Sequence, residues 1–391
     1  MRKSLLALTA SAFGIGTTEF VIVGLLPQLS HSFSVSIPKA GVLVSAYALS
    51  VTIGSPLVAL ALGRMDRRRA LLILLGMFLL GNTLCALAPT YGSLLAARIF
   101  TALCHGSFFG IGAVLAAHIV PRAERAQAIA LMFSGLTLAN ILGVPAGTAL
   151  GHAFGWRFAF WAIVPIAAFA FFCVARYVPS QIPEPSHLRE ELRTILRLPV
   201  QLVLALSTLS SVSLFCVLTY IAPMLMRITH FSPNAVTWTL VVFGIGITVG
   251  NLLGGRLSDW NQMAAILGGI IMLIVVFAAM PFTLSAAAMA IPMILVWGMV
   301  HFAAGAPLQA RVVDKAHGAN LASTLNQSAF NFGNAIGASL GGLALTWGMS
   351  YRDLPFVSAA VALLALSVGL AALFVDRRDR ASDQIAPELA L

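Results

Sequence analysis

Charge is scarce in this chain. Only 9% of its 391 residues are Asp, Glu, Lys or Arg, against about 25% in ordinary soluble domains. Acids are scarcest, with 13 Asp and Glu in all. The strict apolar–polar alternation of a β-barrel is absent, which argues against a closed sheet in a membrane. Cysteine is also rare. Cys85, Cys104, Cys173 and Cys216 all fall in apolar segments and none forms a C-x-x-C pair, so buried inert thiols are expected rather than a disulfide frame or metal centre. No G-x-x-x-x-G-K-[ST] and no H-E-x-x-H occurs, which removes the usual nucleotide-hydrolysing and zinc-peptidase signatures. No nucleophile and base fall at a recognisable spacing. Neither an enzyme nor a bound cofactor or metal is expected.

Apolar sequence is abundant. The chain is 59% hydrophobic with a mean hydropathy of +0.95. The excess lies in runs of about 20 residues, each long enough to cross ~30 Å of hydrocarbon as a helix. Twelve such spans are expected, near 4–29, 39–62, 70–89, 91–119, 126–150, 157–178, 199–226, 234–257, 263–284, 286–310, 320–347 and 354–375. The first follows Arg2 and Lys3 as a signal peptide would, but it is too long for a signal h-region and more spans come after it. It is read as an uncleaved helix.

The net charge of +10 does not point to nucleic acid. If both termini are cytoplasmic, 18 Lys and Arg fall inside, four outside, and Arg98 within a span. This is the positive-inside bias of a membrane protein. The expected setting is a bacterial inner membrane, with the lipid bilayer, a small solute and protons as partners and a monomeric state.

One polar segment, 179–198, divides the chain. Apolar residues at helical spacing from Leu188 to Leu196 predict a short amphipathic helix on the cytoplasmic face. The expected organisation is a six-helix bundle over 1–178, this linker, a second bundle over 199–376 and a tail over 377–391. The halves echo each other. Gly143, Gly147 and Gly151 repeat every four residues in the fifth span, as Gly333, Gly337 and Gly341 do in the eleventh. That spacing lines one helix face and admits a close neighbour. Matched halves of this kind describe a transporter with a midplane site.

The loop after the second span resembles the major facilitator signature G-x-L-a-D-R-x-G-R-R. Arg64, Arg67 and Arg68 match its basic part, while Ala59, Gly63 and Asp66 stand at its glycine, aspartate and inner-glycine positions. The second-half copy keeps Gly255, Leu257 and Asp259 but ends in Trp260-Asn261-Gln262. Gly16-Thr17-Thr18-Glu19-Phe20 with Gly24-Leu25-Leu26-Pro27 is similar to the first helix of bacterial sugar-efflux and arabinose-efflux-like permeases. His105-Gly106-Ser107-Phe108-Phe109-Gly110, Gly143-Val144-Pro145 and Asn331-Phe332-Gly333-Asn334 fit the same branch. Gly143, Pro145 and Gly147 resemble the fifth-helix signature of twelve-span drug:proton antiporters. The resemblance implies an all-α membrane protein of twelve transmembrane helices in two pseudo-symmetric six-helix bundles, the major facilitator fold. It also implies secondary transport by alternating access.

Glu19 lies about 15 residues into its span, or ~22 Å along it, and is the one acid set deep in a hydrophobic run. An intramembrane acid is a functional candidate by default. It carries protons, or it is held protonated for packing or hydrogen-bonded to Thr17 or Thr18. Arg98 enters the fourth span from the outer side to a similar depth. It acts as a cation for Glu19 or for an anionic group, or it snorkels outward. His105, seven residues on, shares its face and can relay protons or sit neutral among helices.

The amides Asn326, Gln327, Asn331 and Asn334 are unusual in a membrane helix. Gln327, Asn331 and Asn334 share a face, with Asn326 beside it. With Asn140, Tyr220, Trp297 and His301 they are the candidate solute contacts, alternatives to plain helix packing. The expected activity is proton-coupled export of a small sugar-like or amphipathic drug-like solute. Proton-coupled import is the alternative, and an intramembrane enzyme or receptor a remote one.

Overall fold

The computed structural model describes residues 2–62, 64–121, 124–182, 196–316 and 320–385. Among the described residues the chain is built of helices with short connections: α1 (Arg2–Ser32), α2 (Ile37–Leu62), α3 (Arg67–Leu87), α4 (Tyr91–His118), α5 (Arg125–Leu138), a π-helical segment (Ala139–Gly143), α6 (Val144–Phe154) and α7 (Trp156–Tyr177), then α8 (Leu198–Leu218), α9 (Ile221–Ile228), α10 (Pro233–Thr283), α11 (Ala287–Ala303), α12 (Gly305–Lys315), α13 (Asn320–Thr346) and α14 (Leu354–Ile385). Eleven of the helical stretches are long and apolar enough to cross a membrane. The amide-bearing α13, with 27 residues, is not among these eleven and packs against α2 and α8.

Local chemistry sets the ends. Thr90 and Ser93 close a capping box at α4, satisfying two of its free N–H groups. Ser232 accepts from the Ala235 amide and Pro233 opens α10, a position where a missing N–H costs nothing. Gly155 turns from α6 into α7 at φ 95°, a left-handed conformation that favours glycine.

Several spans depart from their expected form. The fifth passes through a π turn at Ala139–Gly143, just before Pro145, whose ring displaces the carbonyl four residues back. The seventh was expected unbroken over 199–226. It stops at Leu218 and restarts at Ile221, because Pro223 cannot donate to Thr219 and Tyr220 leaves helical geometry at ψ 11°. The eighth and ninth were expected to flank a loop. Instead one residue, Asn261 at φ −163°, interrupts a continuous run, and its side chain caps the second stretch of that run by accepting from the Ala264 amide at 3.0 Å. The twelfth continues well past 375, to Ile385, through what was expected to be the start of the tail. The amphipathic helix expected in the linker falls mostly on 183–195, outside the described residues.

The glycine faces meet the helices that the repeat implies. A Cβ on Gly147 would lie 2.7 Å from Val21 of α1, and Gly143 and Gly151 face Thr17 and Leu25 one turn to either side. A Cβ on Gly337 would lie 2.5 Å from the Val212 carbonyl of α8, with Gly333 and Gly341 against Thr208 and Cys216. Fifth on first and eleventh on seventh are equivalent pairs in two six-helix halves. The halves touch along two seams. On one, Thr52 of α2 donates to the Ser328 carbonyl of α13 at 3.4 Å. On the other, the π segment meets α10, where Gly244 lets the Asn140 carbonyl approach.

Candidate proton and solute site

Three helices of the first half converge on Glu19. Ser55 holds α2 to α4, since the Gly106 amide donates to its hydroxyl at 3.1 Å and Ser107 donates to its carbonyl at 2.8 Å. That contact brings Tyr47 of α2 beside His105 of α4. The Tyr47 hydroxyl and His105 Nδ1 are 3.1 Å apart, and His105 Nε2 lies 3.8 Å from Glu19 Oε2. Arg98, one face of α4 with His105, reaches α1. It donates to the Thr18 carbonyl at 2.6 Å and to the Glu19 carbonyl at 3.5 Å, and its guanidinium lies 4.1 Å from the centre of the Tyr47 ring. All four side chains are buried. Thr18 donates to Asn82 of α3, so it is not the anchor of the Glu19 carboxyl.

Glu19 and Arg98, expected at similar depth, and His105, expected on the same face as Arg98, are therefore brought together. One detail differs from expectation. The ion-pair neighbour of the Glu19 carboxylate is His105, while Arg98 bonds to main-chain oxygens beside it. Tyr47 was not anticipated. Its signal was a phenol in the uncharged interior of the second span.

The solute candidates fall into separate groups. Trp297 is sealed between Phe243, at 4.9 Å between ring centres, and Phe277, at 6.1 Å. His301 comes one turn later on α11, and its Nδ1 and the Trp297 indole nitrogen are enclosed with no hydrogen-bond partner. On α13, Asn326 donates to Gln309 at 2.6 Å and Asn331 to the Gln327 carbonyl at 3.0 Å. The side-chain oxygens of Asn326 and Asn331 remain enclosed without partners. Asn334 is buried and Gln327 partly so. Asn140 donates back to Leu136 from within the π segment. Tyr220 donates to the Ala338 carbonyl at 2.9 Å and fills a slot between Gly41 of α2 and Gly342 of α13. It is a wedge between the halves, not an exposed wall.

The motif between α2 and α3 ties the first half to itself. Asp66 caps α3 at Arg69 and accepts from the Ser180 hydroxyl and the Gln181 amide, each at 2.6 Å. Burial acts to raise its carboxyl, but these bonds and the Arg69 charge outweigh it and hold it below the usual range. Arg67 reaches Gln181 and His118, Arg68 donates to the Ala175 carbonyl, and Arg64 is exposed. Gly255 lies on α10 with open space at its Cβ position, and the Asp259 side chain lies outside the described residues. A second-half counterpart went unread in the sequence. Asp376 of α14 pairs with Arg311 and Lys315 of α12, where the four-residue spacing of the cations was the available signal.

A depression of about 650 Å³ opens at the end of the bundle away from Asp66, which is the outer end if both termini are cytoplasmic, between the ends of α1, α6 and α9 and the start of α10.

Comparison with known proteins bears on the whole chain. Residues 8–337 match the Major Facilitator Superfamily. The inner membrane transport protein YdhP of Escherichia coli is 44% identical over 93% of this chain and 94% of its own length. The putative transporter AraJ of the same species is 34% identical over 100% and 99%, and a probable sugar efflux transporter of Helicobacter pylori is 31% identical over 91% of each. Among solved structures, a bacterial homolog of the human lysosomal transporter Spinster, inward-facing and occupied, superposes with a TM-score of 0.76 at 17% identity, over 94% of this chain and 96% of that one.

Proposed function

The chain belongs to the major facilitator superfamily and is a membrane transporter, and from that premise we propose that it is a proton-coupled antiporter of the inner membrane, exporting a small solute with Glu19 as the proton-carrying group. The observation that carries this reading is the enclosed cluster of Glu19, His105, Tyr47 and Arg98. An ionised Glu19 balances the fixed charge of Arg98 beside it. A proton on Glu19 leaves Arg98 unbalanced. The two protonation states therefore differ in local charge by one unit at the junction of α1, α2 and α4. They favour different helix arrangements to the extent that each arrangement admits water to the carboxyl. His105 stands between Glu19 and Tyr47 and gives the proton a path off the carboxylate.

The solute is assigned to the second half. Enclosed polar atoms without partners on α11 and α13 cost about 1–3 kcal/mol each when left unpaired, and a bound solute would satisfy them. Amides, an indole and an imidazole suit a hydroxyl-bearing or amphipathic molecule. Export as the direction is supported by the sugar-efflux name of the Helicobacter relative.

The test is a screen in proteoliposomes with an imposed pH gradient, using neutral saccharides and amphipathic drugs. Wild type is expected to accumulate one of these uphill. Glu19→Gln is expected to exchange it but not concentrate it. Uphill accumulation by Glu19→Gln would reject the assignment.

A further inference from the structure

The outer depression has a composition unlike the Glu19 cluster. Gln28 and His31 come from α1, His152 from α6, and Ser232 and Asn234 from the start of α10. Five hydrogen-bonding side chains therefore face one space from both halves of the molecule. None of the residues lining it is Asp, Glu, Lys or Arg. Its volume, about 650 Å³, lies in the range of small-molecule sites. Two of the polar residues are incompletely bonded. Gln28 donates to the Gly151 carbonyl at 2.8 Å, but its side-chain oxygen is enclosed without a partner, as is Nδ1 of His152.

We infer that this vestibule is a second solute site, at the outer mouth, that takes a neutral, hydroxyl-rich molecule. Charge decides the class. An ion entering here would shed water and meet no counter-ion, a cost that neutral amides and imidazoles repay only in part. Hydroxyls both donate and accept, as neutral imidazoles and amides do. Ala149 and Ala153 keep one wall low enough for a ring to lie against it. Because both halves build the site, rocking of one against the other changes its shape, which makes it a station on the outer side of the path. The inference rests on the transport reading but does not require Glu19 to be the proton carrier.

Saturation-transfer NMR on the full chain in lipid nanodiscs tests it. The probes are D-mannitol and methyl β-D-glucopyranoside, with tetraphenylphosphonium and D-glucuronate as charged controls. A buffer at about pH 8 lies above the ordinary titration range of an imidazole. Wild type and Glu19→Gln are expected to transfer saturation to the neutral probes. Gln28→Leu and His152→Phe should each weaken binding by about three- to tenfold, the loss of one hydrogen bond. Ala153→Trp should fill the space and remove the vestibule's share of the transfer, leaving only what the second-half site contributes. Each variant is compared at equal helix content. No transfer to the neutral probes, a preference for either charged control, or transfer unchanged in all three vestibule variants would overturn the site. Transfer lost in Glu19→Gln but kept in the vestibule variants would move binding to the central cluster and overturn this inference alone.

Discussion

Glu19 is held among groups that can each be removed singly, so its surroundings can be taken apart by substitution. Tyr47→Phe keeps the ring under Arg98 and deletes the hydroxyl at His105. It is expected to cost about 1 kcal/mol in stability and to shift the pH profile of transport. Tyr47→Leu also removes the aromatic face from a buried guanidinium, a contact that contributes about 2 kcal/mol when desolvated, and should lower the melting temperature further. Thermal unfolding and pH-dependent uptake of both variants check the order. Equal losses would mean that the ring under Arg98 contributes nothing. Glu19 and Arg98 were legible in the sequence because charge deep in an apolar run is costly and conspicuous. Tyr47 was not, because a tyrosine is cheap to bury and only contact with His105 and Arg98 gives it meaning. Asp376 was hidden for another reason. It stands at a span end, where acids are ordinary, and only the fold places it against Arg311.

Helix elements register the repeat through their glycines. Gly147→Leu and Gly337→Leu should both overpack, at about 1–3 kcal/mol. Gly337 should suffer more, because its substituent meets the Val212 carbonyl while that of Gly147 meets the Val21 side chain, and backbone yields less. Thermal stability in detergent checks the ranking, and unchanged yield in both would mean the faces are not packed. Asp376→Asn leaves Arg311 enclosed without its carboxylate, an arrangement that costs about 3 kcal/mol or more, and should loosen α12 from α14. Spacing of four made the glycine faces readable before any fold was known. The helix breaks were less readable. Pro145 and Pro223 were visible, but whether a proline yields a π turn, as at Ala139–Gly143, or a stop, as at Leu218, depends on what packs alongside.

At the scale of the molecule, the charge bias sets orientation and the two seams set access. Single cysteines replacing Ile182 and Pro89, both exposed, should label from opposite sides of intact cells, and labelling of both from outside would contradict the twelve-span topology. Tyr220 in its slot between Gly41 and Gly342 holds α2 and α13 together on the outer side, so Gly41→Leu should expel the ring and expose a cysteine at Phe215 to outside reagents. The central claim is that one carboxyl, Glu19, exchanges its proton as the solute binds. Its most direct test is solute-induced proton release from purified protein across roughly pH 5 to 9, the range a buried carboxyl can reach. The account expects release from wild type and none from Glu19→Gln with solute binding retained. Release from Glu19→Gln equal to wild type would contradict it and move the coupling site elsewhere, with His105 the next residue to replace.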